Sequence, residues 1–83
     1  MSDLTKKINL VSRLATLSKT VEFDNFYNIN ISIRNDQIAL QGHLNSENTT
    51  VAKKLNIFLE YDNNMEILRG ESEDGKLRIV LTV

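Results

Sequence analysis

Cysteine, proline and tryptophan are absent from this sequence of 83 residues, glycine occurs only three times, and His43 is the single histidine. Without cysteine there is no disulfide, thiolate nucleophile, iron–sulfur cluster or cysteine zinc site, and one histidine cannot build a histidine cluster. No metal and no cofactor is expected. No apolar run exceeds three residues, as at Ile57–Leu59 and Ile79–Leu81, whereas a membrane span needs about 20. Lys6 and Lys7 precede a segment interrupted by Asn9, Ser12 and Arg13, which lacks the continuous apolar centre of a secretory signal. The expected location is the cytoplasm, away from membranes. A charge excess is missing too: ten basic against eleven acidic side chains leave a net charge of −1, and proteins that track a phosphate backbone carry a basic excess. Neither G-x-x-x-x-G-K-S/T nor G-x-G-x-x-G occurs, so there is no glycine-rich phosphate cradle.

What is present suffices for one domain, residues 1–83, with 41% hydrophobic side chains. Residues 3–20 carry helical periodicity. At ~100° per residue, Leu4, Ile8, Leu10, Val11, Leu14, Ala15, Leu17 and Val21 fall on one half of a helix, and Thr5, Asn9, Ser12, Arg13 and Thr16 on the other. Ser2 is the expected N-cap, with Asp3 suited to the positive end of the helix dipole and Lys19 to the negative end. The apolar arc is expected to pack on the domain's own sheet, a membrane surface being the alternative without an aromatic anchor to support it.

Beyond Asn25 the period changes from 3.6 to 2. Tyr27, Ile29, Ile31 and Ile33 alternate with Asn28, Asn30, Ser32 and Arg34, and after the turn Asn35-Asp36 the residues Ile38, Leu40, Gly42 and Leu44 alternate with Gln37, Ala39, Gln41 and His43. Residues 27–44 therefore predict a hairpin with one buried face. The stretch 45–61 supports two readings. Ser46 caps a helix with Val51, Ala52, Leu55, Phe58 and Leu59 on its face, or Val51, Leu55, Ile57, Leu59 and Tyr61 line a strand. Asp62-Asn63-Asn64 is a turn, and Met65–Glu71 with Lys76–Val83 forms a second hairpin, burying Leu77, Ile79, Leu81 and Val83. Gly42 and Gly70 mark bulges or a close crossing by another element. The fold class is α+β: an N-terminal amphipathic helix on an antiparallel sheet of four or five strands, ordered αββαββ or αβββββ.

The phrase Ile38-Ala39-Leu40-Gln41-Gly42-His43-Leu44-Asn45-Ser46 resembles the strand-and-turn core of BON domains, small αββαβ modules that bind lipids or other ligands. It covers about a tenth of the chain, and the family's downstream Gly-Val pair and closing Asn are absent, so its function is not carried over.

Candidate chemistry is sparse. His43 has Ser46 and Glu47 nearby in sequence but shares its strand face with Gln41, so no nucleophile–base–orienter set is formed and an enzyme is not expected. Asp62, Asn64, Glu66 and Glu73 have calcium-loop spacing, yet Ile67 stands where such a loop needs glycine, and a hairpin turn explains them. The most informative surface is the hairpin face opposite the isoleucines: Asn28, Asn30, Ser32, Arg34, Gln37, Gln41 and His43, nearly all uncharged hydrogen-bonding groups. With Tyr27 in phase with the isoleucines, this face has no exposed aromatic for stacking bases.

These residues predict a small cytoplasmic accessory or regulatory protein that binds and modulates a larger protein. Its ten Asn and eight Ile against three Ala match an A+T-rich genome, as is common among bacteriophage and mobile-element accessory proteins. The alternative is a nucleic-acid-binding regulator that uses Lys6, Lys7, Arg13 and Lys19. A homodimer is also expected: residues 76–83 read as a terminal strand with an apolar edge, and the basic segment 1–20 and acidic segment 60–74 complement one another across a two-fold axis.

Overall fold

The computed structural model describes residues 2–83. The elements run α1 (Asp3–Leu17), β1 (Phe26–Ser32), β2 (Gln37–His43), α2 (Ser46–Lys54), β3 (Glu60–Asp62), β4 (Ile67–Glu71) and β5 (Leu77–Thr82). This is an α+β fold with the expected N-terminal helix on a sheet. Ser2 caps α1 as its sequence predicts, its hydroxyl accepting from the Thr5 amide at 3.2 Å. The helix closes at Leu17, where the Lys19 and Thr20 amides donate to Thr16 and Leu17 carbonyls, so Lys19 lies just past the helix end.

The ambiguous middle segment contains both a helix and a short strand. Asn45, not Ser46, is the N-cap: its Oδ1 accepts from the Asn48 amide at 2.8 Å. At the other end Asn56 adopts a left-handed φ of 56°, while the Ile57 amide donates to the Ala52 carbonyl and the Asn56 amide to that of Lys53. These paired bonds are a Schellman motif, which satisfies the last carbonyls and turns the chain out of the helix. Phe58 and Leu59 therefore lie beyond α2 rather than on its face.

The strand order is β1-β2-β5-β4-β3. Neighbours are antiparallel except at the centre, where β2 and β5 run parallel from Ile38↔Leu77 to His43↔Thr82. The sheet is thus mixed rather than antiparallel throughout. A parallel neighbour needs a crossover longer than a hairpin loop, and α2 with the β3–β4 hairpin supplies it. The C-terminal strand is not an edge, as its sequence suggested; β5 is the middle strand, and Leu77, Ile79 and Leu81 join Ile38 and Leu40 as the most deeply buried side chains. Val83 lies beyond the strand and is exposed. Both glycines predicted to mark close crossings do so. A Cβ on Gly42 would press on the Asn48 amide and the Phe26 ring, and one on Gly70 would overlap the Phe58 carbonyl.

The apolar arc of α1 is only half covered. Leu10 is buried and Leu14 and Leu17 are half-buried against the sheet. Leu4, Ile8 and Val11 remain 69%, 55% and 45% exposed, and Ala15 is exposed as well. The reason lies in the rotation of the helix. Leu10, Leu14 and Leu17 take the sheet side, Arg13 turns to the β4–β5 turn and pairs with Asp74 at 2.7 Å, and the second apolar stripe faces away from the sheet. One pair between the basic helix and the acidic segment, Arg13 with Asp74, thus meets within the chain.

Candidate functional site

Both helices cover one face of the sheet, and the other face is open. Residues paired across neighbouring strands project to the same side, so the register defines the open face row by row. Asn28 lies beside Gln41, Val80, Arg69 and Glu60, and Asn30 beside Ala39, Arg78 and Glu71. Opposite them, Ile38, Leu40 and Gly42 face the helices.

Asn28, Asn30, Gln41 and His43 come together on this surface as their alternation predicts. Asn28 Nδ2 donates to Gln41 Oε1 at 2.7 Å, which fixes the two side-chain amides against each other. Thr82 Oγ1 lies 3.1 Å from His43 Nδ1 and 3.3 Å from the Gly42 carbonyl, which ties the ring to the end of β5. The remaining predicted residues serve the turns. Ser32 Oγ accepts from the Asn35 amide, Gln37 Nε2 donates to the Gly75 carbonyl, and Arg34 sits in the exposed β1–β2 turn.

Tyr27 corrects the reading of this face. The pairing shifts between Phe26 and Asn28, a bulge that lifts Tyr27 out of phase with the isoleucines. Tyr27 is 56% exposed and its ring packs tilted against that of His43, with centroids 5.1 Å apart at an interplanar angle of 49°. The face therefore has an exposed aromatic. A bulge leaves no mark in hydrophobic periodicity, and the only sequence signal is the adjacent pair Phe26-Tyr27, of which a strand can bury just one.

The basic residues do not form one patch. Lys6 and Lys19 are 13 positions apart, about 20 Å along a helix at 1.5 Å per residue. Lys6 and Arg13 share a groove with Asp36, Asp74 and Lys76, Lys7 is exposed on the helix, and Lys19 shares a groove with Glu22, Glu47 and Lys54. Asp74 is the one carboxylate held well below the usual range. The Ser72 hydroxyl at 2.6 Å contributes most, then the Arg13 guanidinium, then the Lys76 amide. Asp62 is committed to its turn, accepting from the Asn64 and Met65 amides and pairing with Arg69 at 3.3 Å. His43 meets Thr82 and Tyr27, whereas Ser46 Oγ donates to Glu47, so the histidine, serine and carboxylate are not brought together.

No family model, curated protein or solved structure matches the chain. The resemblance of residues 38–46 to BON domains thus remains local, and the open face has to be read from its own chemistry.

Proposed function

We propose that the protein is a small accessory or regulatory module that docks a larger protein on its open sheet face, centred on Asn28, Asn30, Gln41, His43 and Tyr27. One observation carries this reading: both helices lie on the opposite side, leaving the β1–β2 part of the open face lined by uncharged hydrogen-bonding groups with an aromatic pair at its rim, while Glu60, Arg69, Glu71 and Arg78 line the β5–β4–β3 part. Such an uncharged patch with a tyrosine and a charged flank suits a protein interface, where tyrosine is enriched, charge at the patch core is depleted and the rim is polar. The cysteine-free composition fits a reducing cytoplasm, and the residue usage fits a bacteriophage or mobile-element accessory protein.

A photo-crosslinking residue placed at Asn30, with a matched one at Glu73 in the β4–β5 turn, tests the reading in cells. A discrete adduct heavier than twice 9.5 kDa should form from position 30 and disappear when Gln41→Arg is added. Equal labelling from both positions, or none from position 30, would reject it. The second reading, a nucleic-acid-binding regulator, gains Tyr27 as a stacking surface but has its cations spread over the molecule. Retardation in a gel-shift series that weakens with salt and with Lys6→Ala, Lys7→Ala and Lys19→Ala would favour it.

A further inference from the structure

We infer that two copies of this chain join edge to edge along β1, about a two-fold axis, with the exposed stripe of α1 covered in the same contact. The two edges of the sheet are unlike. β3 has three residues, two of them the acidic Glu60 and Asp62, and such short charged edges resist pairing. β1 has seven residues without a charge or a proline, and this uncharged stretch extends to Ile33.

Backbone directions complete the argument at this edge. The Ile38 amide donates to the Lys76 carbonyl and the Leu44 amide to that of Thr82, so the even-numbered residues of β2 turn their backbone groups to β5. By alternation along a strand, Gln37, Ala39 and Gln41 turn theirs to their partners Ser32, Asn30 and Asn28 in β1. Ile29 and Ile31 consequently point their N–H and C=O groups away from the sheet. A second β1, antiparallel and centred on Asn30, sets Ile29 of each copy opposite Ile31 of the other, with every outward group in register.

The helix adds apolar area on the same side. Leu4, Ile8, Val11 and Ala15 follow the 4-3-4 spacing of a helix-packing seam. At ~100° per residue the stripe is centred ~170° round α1 from Arg13. Arg13 reaches the β4–β5 turn, and α1 lies over β1 and β2, so the stripe occupies the back and the β1 flank of the helix. Ile29 is 39% exposed at that edge. The protein exposes 5633 Å², whereas a monomer of 9.5 kDa is expected to expose about 5,000 Å² by the usual mass scaling. A stable dimer contact buries about 600–800 Å² per copy, which the β1 edge and the helix stripe would supply together.

Sedimentation equilibrium between 1 and 300 μM, with backbone amide exchange by NMR at both ends of that range, tests the contact. A species of twice 9.5 kDa should form, and the Ile29 and Ile31 amides should become protected as it does. Ile8→Glu and Val11→Glu alter exposed helix positions and should raise the dissociation constant at least tenfold with unchanged circular dichroism. Ile29→Lys should do the same, while Met65→Glu in the β3–β4 turn should not. Three outcomes would overturn the inference: a 9.5 kDa species throughout, a dimer indifferent to all three variants, or a dimer whose Ile29 and Ile31 amides stay unprotected. Binding of the monomer to lipid vesicles that Ile8→Glu abolishes would instead assign the stripe to a membrane surface.

Discussion

Asn48 is the buried polar side chain among the described residues, and it acts as a strut. Its Nδ2 donates to the His43 carbonyl at 2.7 Å and the Asn25 carbonyl at 3.1 Å, joining α2, the end of β2 and the loop before β1. The amide can face only this way round, since two carbonyls demand a donor, and its Oδ1 is left without a partner. Asn48→Ala strands both carbonyls and should cost about 2–4 kcal/mol, read as a lower urea midpoint at unchanged slope. Asn48→Asp should cost more at neutral pH, where a carboxylate would face those carbonyls. Asp74 gives the pH dependence. Its folded-state pKa is lowered, so the stability it confers is complete above the unfolded value of about 4 and is lost as pH falls towards and through the lowered value. The pair with Arg13 is partly exposed, which keeps the effect small. Urea melts of wild type and Asp74→Asn should differ at pH 7, and the gap should narrow steadily as pH falls below about 4; a constant gap would rule out the linkage.

At the scale of elements, α1 and the 26–43 hairpin were legible because each buries one face with its own period. The segment 45–61 was not, because Val51 and Leu55 serve either a helix face or a strand face. Two asparagines decide between them: Asn45 starts α2 and Asn56 ends it, both by local hydrogen bonds that periodicity does not register. Asn56 tests this directly. Asn56→Gly removes the left-handed cost and should stabilise the protein by about 0.5 kcal/mol, whereas Asn56→Val should destabilise it by about 1–2 kcal/mol. Thermal melts that rise for the first and fall for the second would establish Asn56 as the stop signal. For α1 the sequence revealed how wide the apolar arc is, but not which half the sheet covers. Leu10, Leu14 and Leu17 are the ones that pack on the core, and on that side Arg13 meets Asp74, 61 residues away. The candidate face was legible at Asn28, Asn30, Gln41 and His43, which alternate regularly, and illegible at Tyr27, where the bulge breaks the alternation.

For the whole molecule, the α+β class followed from the order of periods, but the central place of β5 did not. Two apolar strands read alike whether they lie at an edge or in the middle, and only competition among all five settles their order. The consequence for stability is concentrated at the seam between β2 and β5, where Leu40 and Ile79 are paired and fully buried. Ile79→Ala should cost about 3–4 kcal/mol, a large part of the roughly 4–12 kcal/mol available to a domain of this length. Ile29→Ala at the edge should cost under about 1 kcal/mol, and guanidinium titration of the two variants would show the contrast. The seam also divides the molecule into two pieces that close by local contacts, α1–β1–β2 and β3–β4–β5, with α2 as the tether between them. Severing the chain between Ile57 and Glu60 would leave two fragments with complementary unzipped strands. Mixed in solution they should re-form the sheet, so the protein could be supplied in halves and reconstituted on contact.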